Sequence, residues 1–535
     1  MNAEAVDREV EALMLALTQE YGAAAQTLGG VSWLQAHYVP VRRLVTRIVR
    51  RLLALPEVPC RSVPAGPQDF VVAVDSAAFG YVMYDATETG ISYLLGHHPE
   101  KDKEGVSADD GAVSLPPVLK PAPVCAVSWS SRHAETLLPV LLELADRGVR
   151  STVVDLATEA DQSFPDPLHA GISVLRTPKE ALAHRGGLPA QALCHTNGGH
   201  VARVGRHEVS VARLARLVSK VLVHTSDSTQ PSWTAGVKVE AWLDRVLAQL
   251  RAEVLLCSND TSPLGVLAVR AAERAGADTV YVQHGAWIAG QISWRAQHCR
   301  HIAVMGARDV LTARAWDRRA DARTYVVGQP RFDVLTKTDR RQQRELLQKA
   351  LADQAGTAPP SIVVWACQPV REQRLRDQFE VLMEGLRNTA GRWGLVIAPH
   401  PAQSTTAFAT LLDSVLGVDV ALVGPEVGAR GCLTGADALI SRSSTCGIEA
   451  VLMDVPVLEL ALSSDRTLHL ARHGAAQLCT SGEAIAVALA RIEATPAAVR
   501  VPAAAKDSIC RWDGHASAAI ADIVVQALAE VHSSE

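Results

Sequence analysis

Three consecutive hydroxyl side chains, Ser443, Ser444 and Thr445, stand between an apolar run that reads as a strand, ALIS, and a run that reads as a short helix, CGIEAVLM, with a second strand, PVLEL, close behind. Such a unit aims a helix N-terminus at whatever occupies the turn. Unpaired amides and the helix dipole favour an anion there, and the three oxygens can cap the helix or donate outward. Phosphate is the expected guest of the turn 443–447, which Arg442 precedes and Gly447 closes. Glu449, one turn into the helix, would repel that phosphate, so its useful role is to accept hydrogen bonds from the hydroxyls of a neighbouring sugar. Phosphate beside a diol describes a nucleotide. The same residue types would also serve an ordinary capped helix in a parallel sheet.

Other polar residues follow apolar strand-like runs. His133, in SSRHAETLLP, stands at the mouth of a helix, where an imidazole titrating near neutrality can act as a base toward a bound hydroxyl. Asn259 and Asp260 end a strand, and they suit either an acceptor or turn chemistry. Gln283, His284 and Gly285 follow VYV directly, with glycine permitting close backbone approach. Gln368 and Arg371 follow VVWAC, and His400 stands between two prolines that restrict its backbone. The catalytic candidates are therefore His284, His133 and His400. Gln368, Arg371, His400, Arg442, Ser443, Ser444, Thr445, Gly447 and Glu449 are candidates for the nucleotide, and Asn259, Asp260 and Gln283 for the acceptor. His298, Cys299 and His301 match no strong metal spacing, and an apolar strand follows them.

The elements that must position these groups alternate along the chain. From Val124 onward strands and helices succeed one another, with near-continuous apolar strands, which means parallel sheets covered on both faces. A first series ends at VVGQPRFDVL and a second begins at PPSIVVWACQP. The fold class is thus α/β, with two doubly wound Rossmann-like domains facing a cleft and an N-terminal α+β extension. The expected divisions are 1–120 for extension and linker, 121–340 and 341–500 for the two domains, and 501–535 for a terminal helix returning to the first. Ligands of such sheets bind beyond the carboxyl ends of the strands, where the candidate residues lie.

The 535 residues, 48% of them hydrophobic, suffice for two cores. A formal net charge of -5 gives no general field for a polyanion, which argues against nucleic acid as the main partner. Ten cysteines without a CxxC pair read as small buried side chains in a reducing compartment. No apolar run reaches spanning length and the N-terminus lacks a basic leader, so the expected location is cytoplasmic. The basic helix at 33–53, with Arg42, Arg43, Arg47, Arg50 and Arg51, is a candidate for peripheral contact with an anionic membrane.

Taken together, QHG after a strand, GQPRFD at the end of the first half, QP, HP and SSTxGIEAxxxxxPV resemble the GT-B glycosyltransferases of bacterial surface-polysaccharide synthesis. CDP-glycerol glycerophosphotransferases, polysialyltransferases and UDP-N-acetylglucosamine 2-epimerases share related architecture. The resemblance spans roughly residues 124–500. It implies that His400 and Ser443, Ser444 and Thr445 line a nucleotide site, that Glu449 holds the ribose, and that catalysis needs no divalent ion and no cofactor beyond a nucleotide-sugar substrate. The implied reaction is sugar transfer to a hydroxyl on a glycan, a lipid-linked glycan or a small molecule. The rivals are a UDP-sugar 2-epimerase, a CDP-alditol phosphotransferase and a non-catalytic nucleotide-sugar binder. The epimerases' Gly-Gly turn is replaced here by Ser444 and Thr445, which weakens that rival.

Overall fold

The computed structural model describes residues 3–22, 26–54, 74–77, 81–84, 119–166, 169–178, 201–224, 233–288, 297–316, 319–335 and 338–534, with short breaks inside the last range. Three helices come first: α1 (Ala3–Tyr21), α2 (Trp33–Ala36) and α3 (Tyr38–Ala54). Ser32 caps α2 in a capping box with Gln35, and the single basic helix expected at 33–53 is interrupted at His37. A hairpin of β1 (Val74–Ala77) and β2 (Tyr81–Tyr84) follows. The proline-rich stretch at 97–118 lies outside the described residues.

The first doubly wound domain runs β3 (Val124–Ser128), α4 (Ser131–Asp146), β4 (Ser151–Asp155), β5 (Ile172–Arg176), a hairpin β6 (Val201–Val204) and β7 (His207–Ser210), α5 (Val211–His224), α6 (Trp233–Leu250), β8 (Val254–Cys257), α7 (Pro263–Arg274), β9 (Asp278–Val282), β10 (His301–Val304), α8 (Ala307–Trp316) and β11 (Arg323–Val326). Seven of these strands form one sheet in the order β11-β10-β9-β8-β3-β4-β5, all parallel. Strands β3, β4, β8, β9 and β10 are buried along their whole length, as continuous apolar runs require of a sheet covered on both faces.

Residues 201–224 leave this sheet. Val204, Val209, Leu214 and Val218 instead share a core with Val10, Leu13 and Leu17 of α1 and Leu44, Val45, Ile48 and Leu52 of α3, so the N-terminal extension and this insertion form one lobe. The lobe also takes Leu267 of α7, which seats it on the first domain. The apolar face of α3 is thereby spent on protein. Arg42 is fully buried, with Glu11 at 2.8 Å. Among the described residues no helix is long and apolar enough to cross a membrane.

The second domain runs α9 (Arg340–Ala355), β12 (Ser361–Ala366), α10 (Glu372–Arg387), β13 (Trp393–Ala398), α11 (Thr406–Leu412), β14 (Val420–Leu422), β15 (Ala438–Ser441), α12 (Cys446–Leu452), β16 (Val457–Leu460), β17 (Gln477–Cys479) and α13 (Gly482–Ala494), with α14 (Ala503–Ile509) and α15 (Ala516–Ser534) after it. Its six strands, in the order β14-β13-β12-β15-β16-β17, are likewise parallel. Asp339 caps α9, and Gly356 ends it with φ +76, a conformation that costs glycine nothing.

The chain then crosses back. Ile520, Val524 and Ala527 of α15 pack with Leu137, Val140 and Leu141 of α4 in the core of the first domain. Arg147 pairs with Asp522 at 2.6 Å, and Asp333 accepts from the backbone amides of Ala516 and Ser517 at 3.1 and 2.9 Å. The outward and return crossings thus run side by side. All eight described cysteines are free thiols.

Candidate functional site

Each sheet reverses its winding direction once. In the first the reversal falls between β3 and β8, in the second between β12 and β15, and the crevice beyond such strand ends is where open α/β sheets hold ligands. The residues that follow these four strands, together with those following β9 and β13, face one another across the cleft.

On the first-domain side, Ser130 caps α4 by accepting the Arg132 amide at 3.2 Å, and the helix start carries Arg132, His133 and Glu135. The His133 ring is sandwiched between Trp129, 4.6 Å away, and His284, 5.1 Å away. His133 is buried, and burial followed by the charges of His284 and Arg132 pushes its pKa well below the ordinary value. His284 leaves the end of β9 with its Nδ1 2.5 Å from the carbonyl oxygen of Ser258, just beyond β8. A carbonyl only accepts, so Nδ1 carries the proton and Nε2 of the neutral ring is left as a base. The residue is half-buried. Burial lowers its pKa to about 4, opposed by the Ser258 bond and reinforced by Arg132 and Arg331.

His400 follows β13 and meets the first domain directly. Arg132 Nη2 lies 2.9 Å from His400 Nε2. A guanidinium only donates, so Nε2 accepts and the proton of the neutral ring sits on Nδ1. Burial, with Arg132 second, lowers this histidine also to about 4. Its backbone is fixed by Gln403, whose Oε1 accepts the His400 amide at 3.1 Å and whose Nε2 donates to the Gln368 carbonyl at 3.1 Å. Gln368 Oε1 in turn accepts from Ser443 Oγ and from Arg442 Nη2, the latter at 3.3 Å. Arg442 also faces Asp465 at 3.6 Å, which Arg374 holds at 2.9 Å. Arg371 lies outside the described residues.

The hydroxyl turn differs from its expected form. Open helix-end amides were to grip the anion, but they already have acceptors: Ser444 N donates to Ser441 Oγ at 3.3 Å, Cys446 N to Ser444 Oγ at 3.2 Å, Gly447 N to the Ser444 carbonyl at 2.9 Å, and Ile448 N to the Thr445 carbonyl at 2.9 Å. A helix of 7 residues entered through so tight a turn satisfies its own first turn. Side-chain donors of the turn stand beside these amides, the hydroxyls of Ser444 and Thr445 and the Arg442 guanidinium. Thr445 Oγ1 accepts the Ala286 amide at 3.3 Å, which ties the His284 loop to the turn. Gly447 serves packing, since a Cβ there would stand 3.2 Å from Leu470 Cδ1.

Glu449 is fully buried and gripped by Arg430 through both carboxylate oxygens, each at 2.9 Å. Of the acceptor candidates, Gln283 and Asp260 are buried and Asn259 is half-buried, and each makes contacts within the fold. Gln283 accepts the Met305 amide at 2.8 Å and donates to the Gly285 carbonyl at 3.0 Å. Asn259 Oδ1 accepts the amides of Thr261 and Ser262 at 3.1 and 3.0 Å. Asp260 takes those of His298 and Cys299 at 2.6 and 3.0 Å, and burial still lifts its carboxyl to about 6.

Among the described residues His298 and Cys299 join no metal-ligating group. Among the described residues Asp278, His301 and Glu530 bring such atoms within 4.8 Å, but Arg300 already donates to Asp278 at 2.8 Å and to Glu530 at 3.1 Å. Four site residues escaped the sequence reading: Arg132, Glu135, Arg331 and Arg430. The first three lie inside the quoted runs SSRHAE and GQPRFD, whereas Arg430, in GARG, carries no signal of its own.

No family model matches the chain, and no curated protein matches it. Solved structures that resemble it include a putative UDP-N-acetylglucosamine 2-epimerase from Listeria monocytogenes, with TM-score 0.49 and 15% identity over 76% of this chain and 96% of that one. A glycosyltransferase from Rickettsia africae has TM-score 0.47 and 9% identity over 77% and 99%. MurG from Acinetobacter baumannii has TM-score 0.44 and 13% identity over 76% and 100%. These likenesses are loose, and it is the chain's own strand order that makes it a pair of Rossmann-like domains facing a cleft.

Proposed function

We propose that the protein transfers a sugar from a nucleotide-sugar, held by the second domain, to a hydroxyl acceptor entering from the first. The observation that carries this reading is His284: its Nδ1 is committed to the Ser258 carbonyl, its Nε2 is free, and its loop is tied to Thr445 in the hydroxyl turn. A neutral imidazole of fixed tautomer beside a cluster of anion-stabilising donors suits attack by a hydroxyl on a carbon that carries a phosphate leaving group.

In this reaction the acceptor O–H gives its proton to His284 Nε2 while its oxygen bonds to the anomeric carbon. The bond from that carbon to the phosphate oxygen breaks, and its electron pair leaves with the phosphate. Ser444, Thr445, Arg442 and Arg132 meet the charge that develops there. One such preorganised donor contributes about 3 kcal/mol to lowering the barrier, and base catalysis contributes roughly 10² to 10⁴ in rate. His400, neutral and accepting from Arg132, orients that guanidinium. Any proton it passes to the leaving group comes from Nδ1.

Epimerisation needs carboxylates free to work around the sugar. Among the described cleft residues Glu135 and Glu449 both face arginines, which favours transfer. The test is incubation of the purified protein with UDP-, CDP- and GDP-sugars, with and without hydroxyl acceptors, followed by mass and stereochemical analysis of the products. Acceptor-dependent release of nucleotide supports the proposal. Isomerisation of a donor supplied alone would sink it.

A further inference from the structure

Arg430 belongs to the turn that follows β14, and its guanidinium lies flat against Glu449: Nε meets Oε2 and Nη2 meets Oε1, both at 2.9 Å. Such a fork fixes the plane of a carboxylate and leaves each oxygen further lone-pair capacity. Burial works against the Arg430 charge, yet the paired Glu449 outweighs it and holds the guanidinium above its ordinary value. From the other domain, Arg331 Nη2 approaches Glu449 Oε1 at 3.6 Å, and Glu135 Oε2 stands 3.5 Å from both Arg331 and Arg430. Two arginines and two glutamates thus alternate across the cleft.

The contacts are unequal. Those within the second domain are short hydrogen bonds, whereas those from the first are too long to be strong ones. A ligand that enters beside Glu449 therefore displaces the first-domain side and leaves the Arg430 fork intact. From this we infer that Arg430 is a positioning residue: it presents the Glu449 carboxylate, with its plane fixed and its charge compensated, to the vicinal hydroxyls of a ribose. Arg331 and Glu135 approach that same edge from the first domain. The inference rests on the nucleotide-sugar reading and deepens it, because it names the group that makes the site select ribose over deoxyribose.

The experiment measures dissociation constants of UDP, CDP and GDP and of their 2′-deoxy forms by calorimetry, for the wild type, Arg430→Lys, Arg430→Gln and the double variant Arg430→Gln/Glu449→Gln. The double variant removes both members of the pair and avoids stranding a buried carboxylate, so it separates loss of function from loss of fold. The wild type is expected to prefer the ribonucleotide by about tenfold or more, as loss of a hydrogen bond to a charged group implies. Arg430→Gln and the double variant should lose that preference to within about twofold, with Arg430→Lys between them. A purely structural Arg430 would weaken both nucleotides alike and leave the ratio unchanged, which overturns the inference, as does a wild type that binds both forms equally. Failure of every nucleotide to bind the wild type overturns the underlying reading itself.

Discussion

Arg132 Nη2 and His400 Nε2 meet at 2.9 Å across the cleft, although 268 residues separate them in the chain. The contact settles two things at once. It dictates which nitrogen of His400 carries the proton, and it places a first-domain cation at the carboxyl ends of the second domain's strands.

Replacing Arg132 with Gln should raise the pKa of His400 from about 4 toward its ordinary value without restoring it fully, because burial is the larger cause and the Arg132 charge the second. Titration of the ring resonances by NMR reads this directly. An unchanged His400 would show that burial acts alone.

For His284→Gln the expected loss is roughly 10² to 10⁴ in turnover, the usual contribution of a general base. Nucleotide binding should persist, because the hydroxyl turn and Arg442 are untouched. A ligand at 100 times its dissociation constant stabilises by about 2.7 kcal/mol, so the thermal shift caused by nucleotide should match the wild type's. Loss of both together would place His284 in the binding machinery.

The acid limb of the pH profile should be displaced. His284 is lowered to about 4 by burial, so the ring is neutral throughout the range above that value and protonates only as pH falls through it. The expected kcat/KM is level from pH 8 to near pH 5 and declines toward pH 4. A decline centred near 6.5, the ordinary histidine value, would mean that the ring is solvated in the working enzyme.

Asp260 gives a stability prediction of definite sign. Its carboxyl is raised to about 6 in the fold, so the folded state holds its proton more tightly than the unfolded chain does. That contribution is fully present below about pH 4 and is lost as pH rises through 6. Asp260→Asn has no such proton to lose. Relative to the wild type the variant should gain about 3 kcal/mol between pH 4 and pH 8, measured by urea unfolding at each pH. A constant difference would mean that Asp260 has an ordinary carboxyl.

Gly306 lies against the return crossing, and a Cβ there would stand 2.3 Å from the Ile509 carbonyl oxygen. Gly306→Ala sets backbone against backbone and should cost about 1–3 kcal/mol in unfolding free energy. Gly447→Ala meets only the flexible Leu470 side chain at 3.2 Å and should cost less. Equal effects would show that the crossing yields easily.

The sheets were legible because buried parallel strands are written as continuous apolar runs. VCAVS, VLLC, DTVYV and SIVVWA are buried along almost their whole length, and polar residues cluster directly after them. What periodicity does not carry is who meets whom. Nothing local in SSRHAE says that its arginine reaches His400, or that its glutamate faces Arg430. Nor does SRSST reveal that Ser441 and Ser444 consume the amides of their own turn. The lobe was missed for a related reason. Residues 201–224 have helical and strand patterns of ordinary kind, and only their apolar partners, Val10, Leu13 and Leu17 among them, show to which core they belong.

The return of α15 to α4 has a bearing on biosynthesis. Ile520, Val524 and Ala527 complete the hydrophobic interior of the domain whose strands emerge first from the ribosome, yet they are translated only after the entire second domain. Until then the apolar residues Leu137, Val140 and Leu141 of α4 lack those partners in the nascent polypeptide.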